Sequence, residues 1–131
     1  MQFQGRVPMT KGVNNMIIED VVLSDPPGRT VLIFIRTLDS NLLDSKGRVW
    51  FVPPDPWDED RAWKVINLEV DPKYRNQGIG TSLMKYLVEN YGTRRMKLSV
   101  AEDNETARRI YKLVGFVETG NTQMTRELLS L

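Results

Sequence analysis

The chain of 131 residues contains neither cysteine nor histidine, and these two absences exclude more chemistry than any other feature of its composition. Without cysteine there can be no disulfide, no thiolate metal site and no cysteine nucleophile. Without histidine the chain lacks the side chain whose unperturbed pKa suits proton transfer near neutrality, the commonest zinc ligand, and the centre of a Ser-His-Asp triad. A general base must therefore be a carboxylate, a tyrosine, a lysine or a relayed water. Long apolar runs are missing too: none approaches the roughly 18 residues of a membrane span, and residues 1–15 lack the apolar core of a signal peptide. The expectation is a soluble, cytoplasmic protein with no membrane partner. Finally, there is almost no excess charge. Lys and Arg number 18 against 17 Asp and Glu, a net charge of +1, so no global field draws the protein to nucleic acid, and a charged ligand must be held locally.

What is present fits one domain over residues 1–131, enough chain for a single core and too little for two. Residues 1–15 show no clear period and read as a flexible lead-in or an irregular edge segment. Met16 to Leu23 and Thr30 to Leu38 are rich in β-branched and apolar residues, with Asp25-Pro26-Pro27-Gly28 as a turn between them, which predicts a hairpin. Val49 to Pro53 is a short strand stopped by Pro53-Pro54-Asp55-Pro56. Trp63 to Val70 is a further strand, in which alternation puts Ile66, Leu68 and Val70 on one face and Asn67 and Glu69 on the other. Beyond Asp71-Pro72 the period changes: Ile79, Leu83, Leu87 and Tyr91 recur at helical spacing and Gly92 closes the run. Met96 to Val100 alternates as a strand. A second helix opens at Asp103-Asn104, carries Ala107, Ile110, Tyr111 and Val114 on one stripe, and ends at Gly115. Phe116 to Thr119 and Gln123 to Leu128 are the last strands. Strand, helix and strand in that order suit a right-handed crossover between parallel strands, so the fold class is α/β with a mixed sheet.

Chemistry concentrates at Arg75-Asn76-Gln77-Gly78-Ile79-Gly80, between a strand and the first turn of a helix. Such a place offers unpaired backbone N–H groups and the positive end of a helix dipole, and so can hold a pyrophosphate without net protein charge. Gly78 and Gly80 allow close approach and φ values barred to other residues, and Arg75 adds a charge-assisted contact. A dinucleotide fingerprint is excluded because its third glycine would fall at Leu83, and a Walker loop because Gly-Lys-Ser/Thr is absent.

The register around this turn is longer than the glycine pair. Leu68-x-Val70-x-Pro72-x-x-Arg75-x-x-Gly78-Ile79-Gly80-x-x-Leu83, followed by Leu98-x-Val100-x-x-x-Asn104-x-x-Ala107-x-x-x-Tyr111-x-x-x-Gly115-Phe116, resembles the GNAT acyl-CoA N-acyltransferases over residues 64–119. The resemblance implies a mostly antiparallel central sheet with a splayed strand and flanking helices. It implies acetyl-CoA as acyl donor and no metal, with the pyrophosphate on Arg75, Asn76, Gln77, Gly78, Ile79 and Gly80 and with Thr81 beside it. Leu68 and Val70 would pair with the pantetheine arm, the Leu68 amide polarising the thioester carbonyl as an oxyanion donor does. Asn104 would touch pantetheine or departing CoA, and Tyr111 would stand near the sulfur and protonate it.

Two features depart from the family. Its usual carboxylate bases are replaced by Ser99 and Lys64, so Glu69 is the remaining candidate base, with Glu102 as the other nearby carboxylate and a water relay as an alternative. The two helices that usually follow the first strand are reduced. In their place Trp50, Phe51, Trp57 and Trp63, with the loop carrying Asp55, Asp58, Glu59 and Asp60, are expected to form an acidic, aromatic-walled acceptor site at one end of the cleft that favours cationic amines. The expected activity is transfer of an acetyl or other short acyl group to an amine of a small molecule or peptide. The alternative is a CoA-binding or interaction module without chemistry. An acyltransferase acting on charged tRNA would need a basic surface that the charge balance does not supply. A homodimer is left open.

Overall fold

The computed structural model describes residues 2–8, 16–23, 29–37 and 45–127, the first of these as backbone. They form one eight-stranded sheet of β1 (Gln2–Pro8), β2 (Met16–Leu23), β3 (Thr30–Thr37), β4 (Gly47–Val52), β5 (Trp63–Val70), β6 (Met96–Ser99), β7 (Val117–Glu118) and β8 (Gln123–Arg126), in the order β1-β2-β3-β4-β5-β6-β8-β7. Every neighbouring pair is antiparallel except β5 and β6. That exception follows from α1 (Ile79–Tyr91), which carries the chain back across the sheet between them. A second helix, α2 (Glu105–Leu113), follows β6.

Of the two readings of the N-terminus, residues 2–8 take the edge-segment form, an edge strand with an irregularity between Phe3 and Gly5. The predicted turn at residues 25–28 lies outside the described residues. Its consequence does not: Leu23 faces Thr30 and the Arg29 N–H reaches the Leu23 carbonyl at 3.1 Å, as a hairpin requires. No helix is found before Pro72 among the described residues. Among the described residues no helix is long and apolar enough to cross a membrane.

The inner strands are apolar on both faces, which explains their nearly unbroken hydrophobic sequence. Met16, Ile18, Val31, Ile33 and Ile35 join the main core beneath the helices, while Val21, Leu32 and Phe34 form a smaller cluster on the opposite face. Helix α1 contributes Ile79, Leu83, Met84 and Leu87 to the main core, the stripe its periodicity predicts. Its other end is tied to β2 by a buried carboxylate. Tyr86 Oη donates to Asp20 Oδ1 at 2.7 Å and Tyr91 Oη to Oδ2 at 2.5 Å. Burial first, and then the bond to Asp20, push both phenols above their ordinary pKa. On the opposite face of β2, Glu19 pairs with Arg36 at 2.6 Å.

One buried cation manages the C-terminal ends of both helices. Arg126, on β8, donates from Nε to the Val114 carbonyl at 2.9 Å and from Nη1 to the Gly92 carbonyl at 3.2 Å. Gly92 and Val114 are the C-caps of α1 and α2, so the guanidinium sits at the negative ends of two helix dipoles, where orphan carbonyls need donors. Desolvation pulls the Arg126 pKa down; a guanidinium nevertheless remains charged. Arg126→Met keeps most of the apolar stem and leaves both carbonyls without their donors. The expected loss is about 2–4 kcal/mol of unfolding free energy, read as a lower urea midpoint at unchanged m-value.

Candidate active site

The site begins with an extra residue. Arg48 pairs with Glu69 but Trp50 pairs with Ile66, so β5 holds one residue more than β4 across this stretch. Asn67 absorbs it with φ of +53°, the left-handed region that asparagine tolerates better than most side chains. This is a β-bulge, and it changes the parity of the strand. Val65 is buried in the main core, and Leu68 and Val70 pack against the same core, whereas Ile66 points away and is 41% exposed. The expected sharing of one face by Ile66, Leu68 and Val70 is therefore corrected: between the paired Ile66 and Glu69, two residues, Asn67 and Leu68, stand opposite Val49 alone, so that the successive residues Ile66 and Asn67 are both exposed and simple alternation fails.

The bulge bends β5 away from its parallel neighbour. Pairing between β5 and β6 is confined to Trp63 with Met96 and Lys64 with Lys97. Beyond Lys64 the two strands diverge, and a cleft opens between the C-terminal half of β5 and helix α2. Leu68, Glu69 and Val70 line it from β5, Asn104, Ala107 and Ile110 from α2, and Arg75, Asn76, Gly78, Ile79, Gly80 and Thr81 close its end. The structure thus brings together nearly all the residues singled out for ligand binding. Gln77 is exposed and does not line the cleft, and neither does Tyr111.

The end of the cleft exposes backbone donors at a helix start, which is chemistry suited to an anion. After β5 the chain makes a short 3-10 turn (Pro72–Tyr74), in which Asp71 Oδ1 accepts from the Lys73 N–H at 3.0 Å. Arg75 is extended, while Asn76 and Gly78 take left-handed φ of 63° and 76°. Gly78 caps α1 without any side-chain hydrogen bond, and no acidic residue lies in the first turn. The first N–H groups of α1 and its positive dipole end are thus left unsatisfied toward the cleft. Gly80 serves differently from expectation. It lies in regular helix, and what matters is its size: a Cβ there would come within 3.2 Å of Ile110 Cδ1 and 3.7 Å of Val70 Cγ2. Its absence lets β5, α1 and α2 meet at the floor of the cleft.

The candidate catalytic groups are placed less simply. Glu69 lines the cleft, with Oε2 accepting from Arg48 Nη2 at 2.7 Å; both side chains are about half exposed. Asn104 reaches the cleft, but its Oδ1 caps α2 by accepting the Ala107 N–H at 3.1 Å. Tyr111 is 7% exposed and sits in the main core, its ring 6.0 Å from that of Phe116. Burial raises its pKa, which keeps the phenol protonated.

The acidic loop is corrected as well. It joins β4 to the start of β5, the end where β5 and β6 remain paired, and none of Asp55, Asp58, Glu59 or Asp60 lines the cleft. Its charges are used locally. Lys64 lies 3.5 Å from Asp55 and 3.8 Å from Asp58, and Lys97 lies 2.8 Å from Asp60. The hydrogen bond from Lys97 is the main cause that lowers the Asp60 pKa. The aromatic wall is not formed either: Trp57 is 76% exposed, Phe51 is buried in the main core with Trp63 stacked on it at 4.7 Å, and neither these nor Trp50 line the cleft.

Residues 46–116, more than half of the chain, match the Acetyltransferase (GNAT) family. The chain belongs to this family. The GNAT fold is also seen in its structural neighbours. A GCN5-related N-acetyltransferase from Kribbella flavida superimposes with a TM-score of 0.65 at 18% identity, over 80% of this chain and 72% of that one. The NatC complex bound to Gag peptide and CoA gives 0.64 at 15% identity, over 75% and 71%. The yncA protein of Salmonella typhimurium, solved with its cofactor acetyl-CoA, gives 0.61 at 18% identity, over 78% and 66%. In sequence, an uncharacterised protein of Mycobacterium leprae is 40% identical over 58 residues, which are 44% of this chain and 16% of that protein.

Sequence reasoning passed over Asn67 and Arg48. Asn67 had a signal, being a residue tolerant of left-handed φ inside a strand between the apolar Ile66 and Leu68, but only the register with β4 reveals the bulge. The bulge makes a stability prediction. Asn67→Val forces a β-branched side chain into positive φ and should cost about 1–3 kcal/mol, whereas Asn67→Gly should fall within about 1 kcal/mol of the parent. Urea denaturation of the two variants compares them directly; equal losses would mean that the left-handed backbone at 67 is not what the sequence is selected to allow.

Proposed function

We propose that the protein transfers an acetyl or other short acyl group directly from acyl-CoA to an amine of a small molecule or peptide. The observation that carries this reading is the opening of β5 from β6 onto the uncapped N-terminus of α1. The divergence leaves an edge of β5 free to pair with an extended amide-bearing arm, and the helix end can receive the pyrophosphate at the other end of that arm. That two of the structural neighbours were solved with CoA or acetyl-CoA supports the choice of donor.

In this reading Arg75, Asn76 and Gly78 to Thr81 hold the pyrophosphate, and Leu68 and Val70 pair with pantetheine. The Leu68 amide donates to the thioester carbonyl oxygen as negative charge develops there, a contact worth on the order of 3 kcal/mol in comparable sites. The amine nitrogen, having lost its proton, attacks the carbonyl carbon, the C–S bond breaks, and the thiolate leaves. Glu69 Oε1, the oxygen not engaged by Arg48, takes through a water the proton that the ammonium loses; Tyr111 protonates the departing sulfur, and the second proton, released by the nitrogen as the tetrahedral intermediate collapses to the amide, restores the phenol. No acyl-enzyme is needed, in keeping with a chain that lacks cysteine and histidine.

A second reading, a CoA-binding module without chemistry, draws on two of the same observations: Tyr111 packs in the core away from the cleft lining, and Glu69 is held by Arg48. Turnover separates the two. Thiol release from acetyl-CoA, measured across a panel of amines, polyamines and peptides, should depend on at least one acceptor. Binding of CoA by calorimetry with no acceptor-dependent release would establish the second reading.

Tyr111→Phe removes only the hydroxyl and preserves the ring that packs against Phe116. It should lower kcat about 10- to 1,000-fold with little change in stability. Because burial raises the phenol's pKa above the ordinary tyrosine value of about 10, the parent's advantage over the variant should be lost only at a higher pH than that at which a free tyrosine titrates. An unchanged kcat, measured where chemistry limits, would return Tyr111 to the core alone.

A further inference from the structure

Helix α2 carries three cations, Arg108, Arg109 and Lys112, and the fold treats them unequally. Arg108 Nη1 lies 2.8 Å from Glu118 Oε1 and Lys112 Nζ lies 3.1 Å from the same oxygen. Arg108 also donates to the carbonyls of Ala101 and Asn121. These bonds lower the Glu118 pKa, that from Lys112 most. Arg109 takes no part. Among the described residues no carboxylate lies within ion-pair distance of it, although Glu102 and Glu105 share the shallow outer groove beside it. Arg109 instead forms part of the wall of the main cleft with Thr106. Across that cleft Arg75, also without an ion pair among the described residues, stands at the phosphate turn.

The positions along α2 give the two arginines different tasks. Ala107 and Ile110 pack inward, against the core and the Gly80 floor, whereas Thr106 and Arg109 are exposed. Arg109 therefore lies on the solvent side of the cleft, beyond the place where a pyrophosphate meets α1. A ligand whose pyrophosphate sits on the turn and whose thioester arm follows β5 must send its nucleoside half outward, past Arg109. On acyl-CoA that half bears one more anion, the 3′-phosphate of the ribose. A guanidinium with no carboxylate of its own is suited to it, since no existing ion pair need be broken.

We propose that Arg109 is a specificity residue for the donor, binding the ribose 3′-phosphate and distinguishing CoA from 3′-dephospho-CoA. The proposal rests on the acyl-CoA reading above. In it Arg75 serves the pyrophosphate common to both ligands, and Arg109 serves only the group in which they differ. Because the contact is exposed and shares its groove with two glutamates, the discrimination should be modest and should shrink as salt is raised.

The test is calorimetric titration of the parent, Arg109→Met and Arg75→Met with CoA and with 3′-dephospho-CoA at low salt. The parent should bind CoA about tenfold more tightly than dephospho-CoA, a difference of about 1.4 kcal/mol. Arg109→Met should erase that ratio while leaving dephospho-CoA affinity unchanged, and Arg75→Met should weaken both ligands alike. A parent that binds both equally, or an Arg109→Met variant that weakens both equally or keeps the ratio, overturns the proposal and leaves the donor reading standing. A parent that binds neither ligand overturns the donor reading and this proposal together.

Discussion

The divergence of β5 from β6 is the constraint on which the rest of the site depends. Two parallel residue pairs hold the strands together at Trp63 and Lys64, and the bulge at Asn67 then turns β5 out of register. A regular strand would have continued the ladder into Val70 and closed the space that Leu68 and Val70 now line. The bulge also reverses the parity of the strand, so that Leu68 and Val70 return to the core side and the cleft has an apolar wall. One extra residue thus creates both the opening and its lining, a use to which bulges near active sites are well suited.

Helix ends show the same division between what is satisfied and what is left open. At the C-terminal ends of α1 and α2, the buried guanidinium of Arg126 supplies donors to two cap carbonyls. At the N-terminal end of α2, Asn104 supplies an acceptor. The N-terminus of α1 alone of these four ends has neither a capping side chain nor an acidic residue in its first turn. Its donors remain available at the place where the strands part. The distribution of ion pairs follows suit. Asp55, Asp58 and Asp60 are matched by Lys64 and Lys97, and Glu118 by Arg108 and Lys112, while the arginines of the cleft at 75 and 109 have no such partners among the described residues. A chain with a net charge of only +1 can in this way present local positive potential.

Much of this was legible in the sequence, for a physical reason that differs by element. The hairpin of β2 and β3, the strand Trp63–Val70 and the helix Ile79–Tyr91 were readable because hydrophobic period, turn chemistry and a closing glycine all act over a few neighbouring residues. The turn at residues 75–80 was readable because its exposed donors belong to the backbone and need only the glycines and the start of a helix. The first strand was readable only as one of two alternatives, since an irregular edge strand carries little pattern. The buried charges were not readable. Asp20 and Arg126 look like ordinary polar residues at strand positions, and their partners, Tyr86 and Tyr91 for one and two helix ends for the other, lie far along the chain.

The sequence by itself therefore determined the periodic elements, the exclusion of cysteine and histidine chemistry, and the position of a glycine turn that opens a helix, because each is a matter of residue type and local spacing. Only the tertiary structure decided which side chains share the cleft. It moved the acidic loop to the paired end of β5, set Glu69 against Arg48, kept Tyr111 in the core and left Arg109 at the cleft wall. Those outcomes depend on the register between strands and on pairings between distant residues, and a shift of a single residue at Asn67 is enough to change which face each side chain occupies.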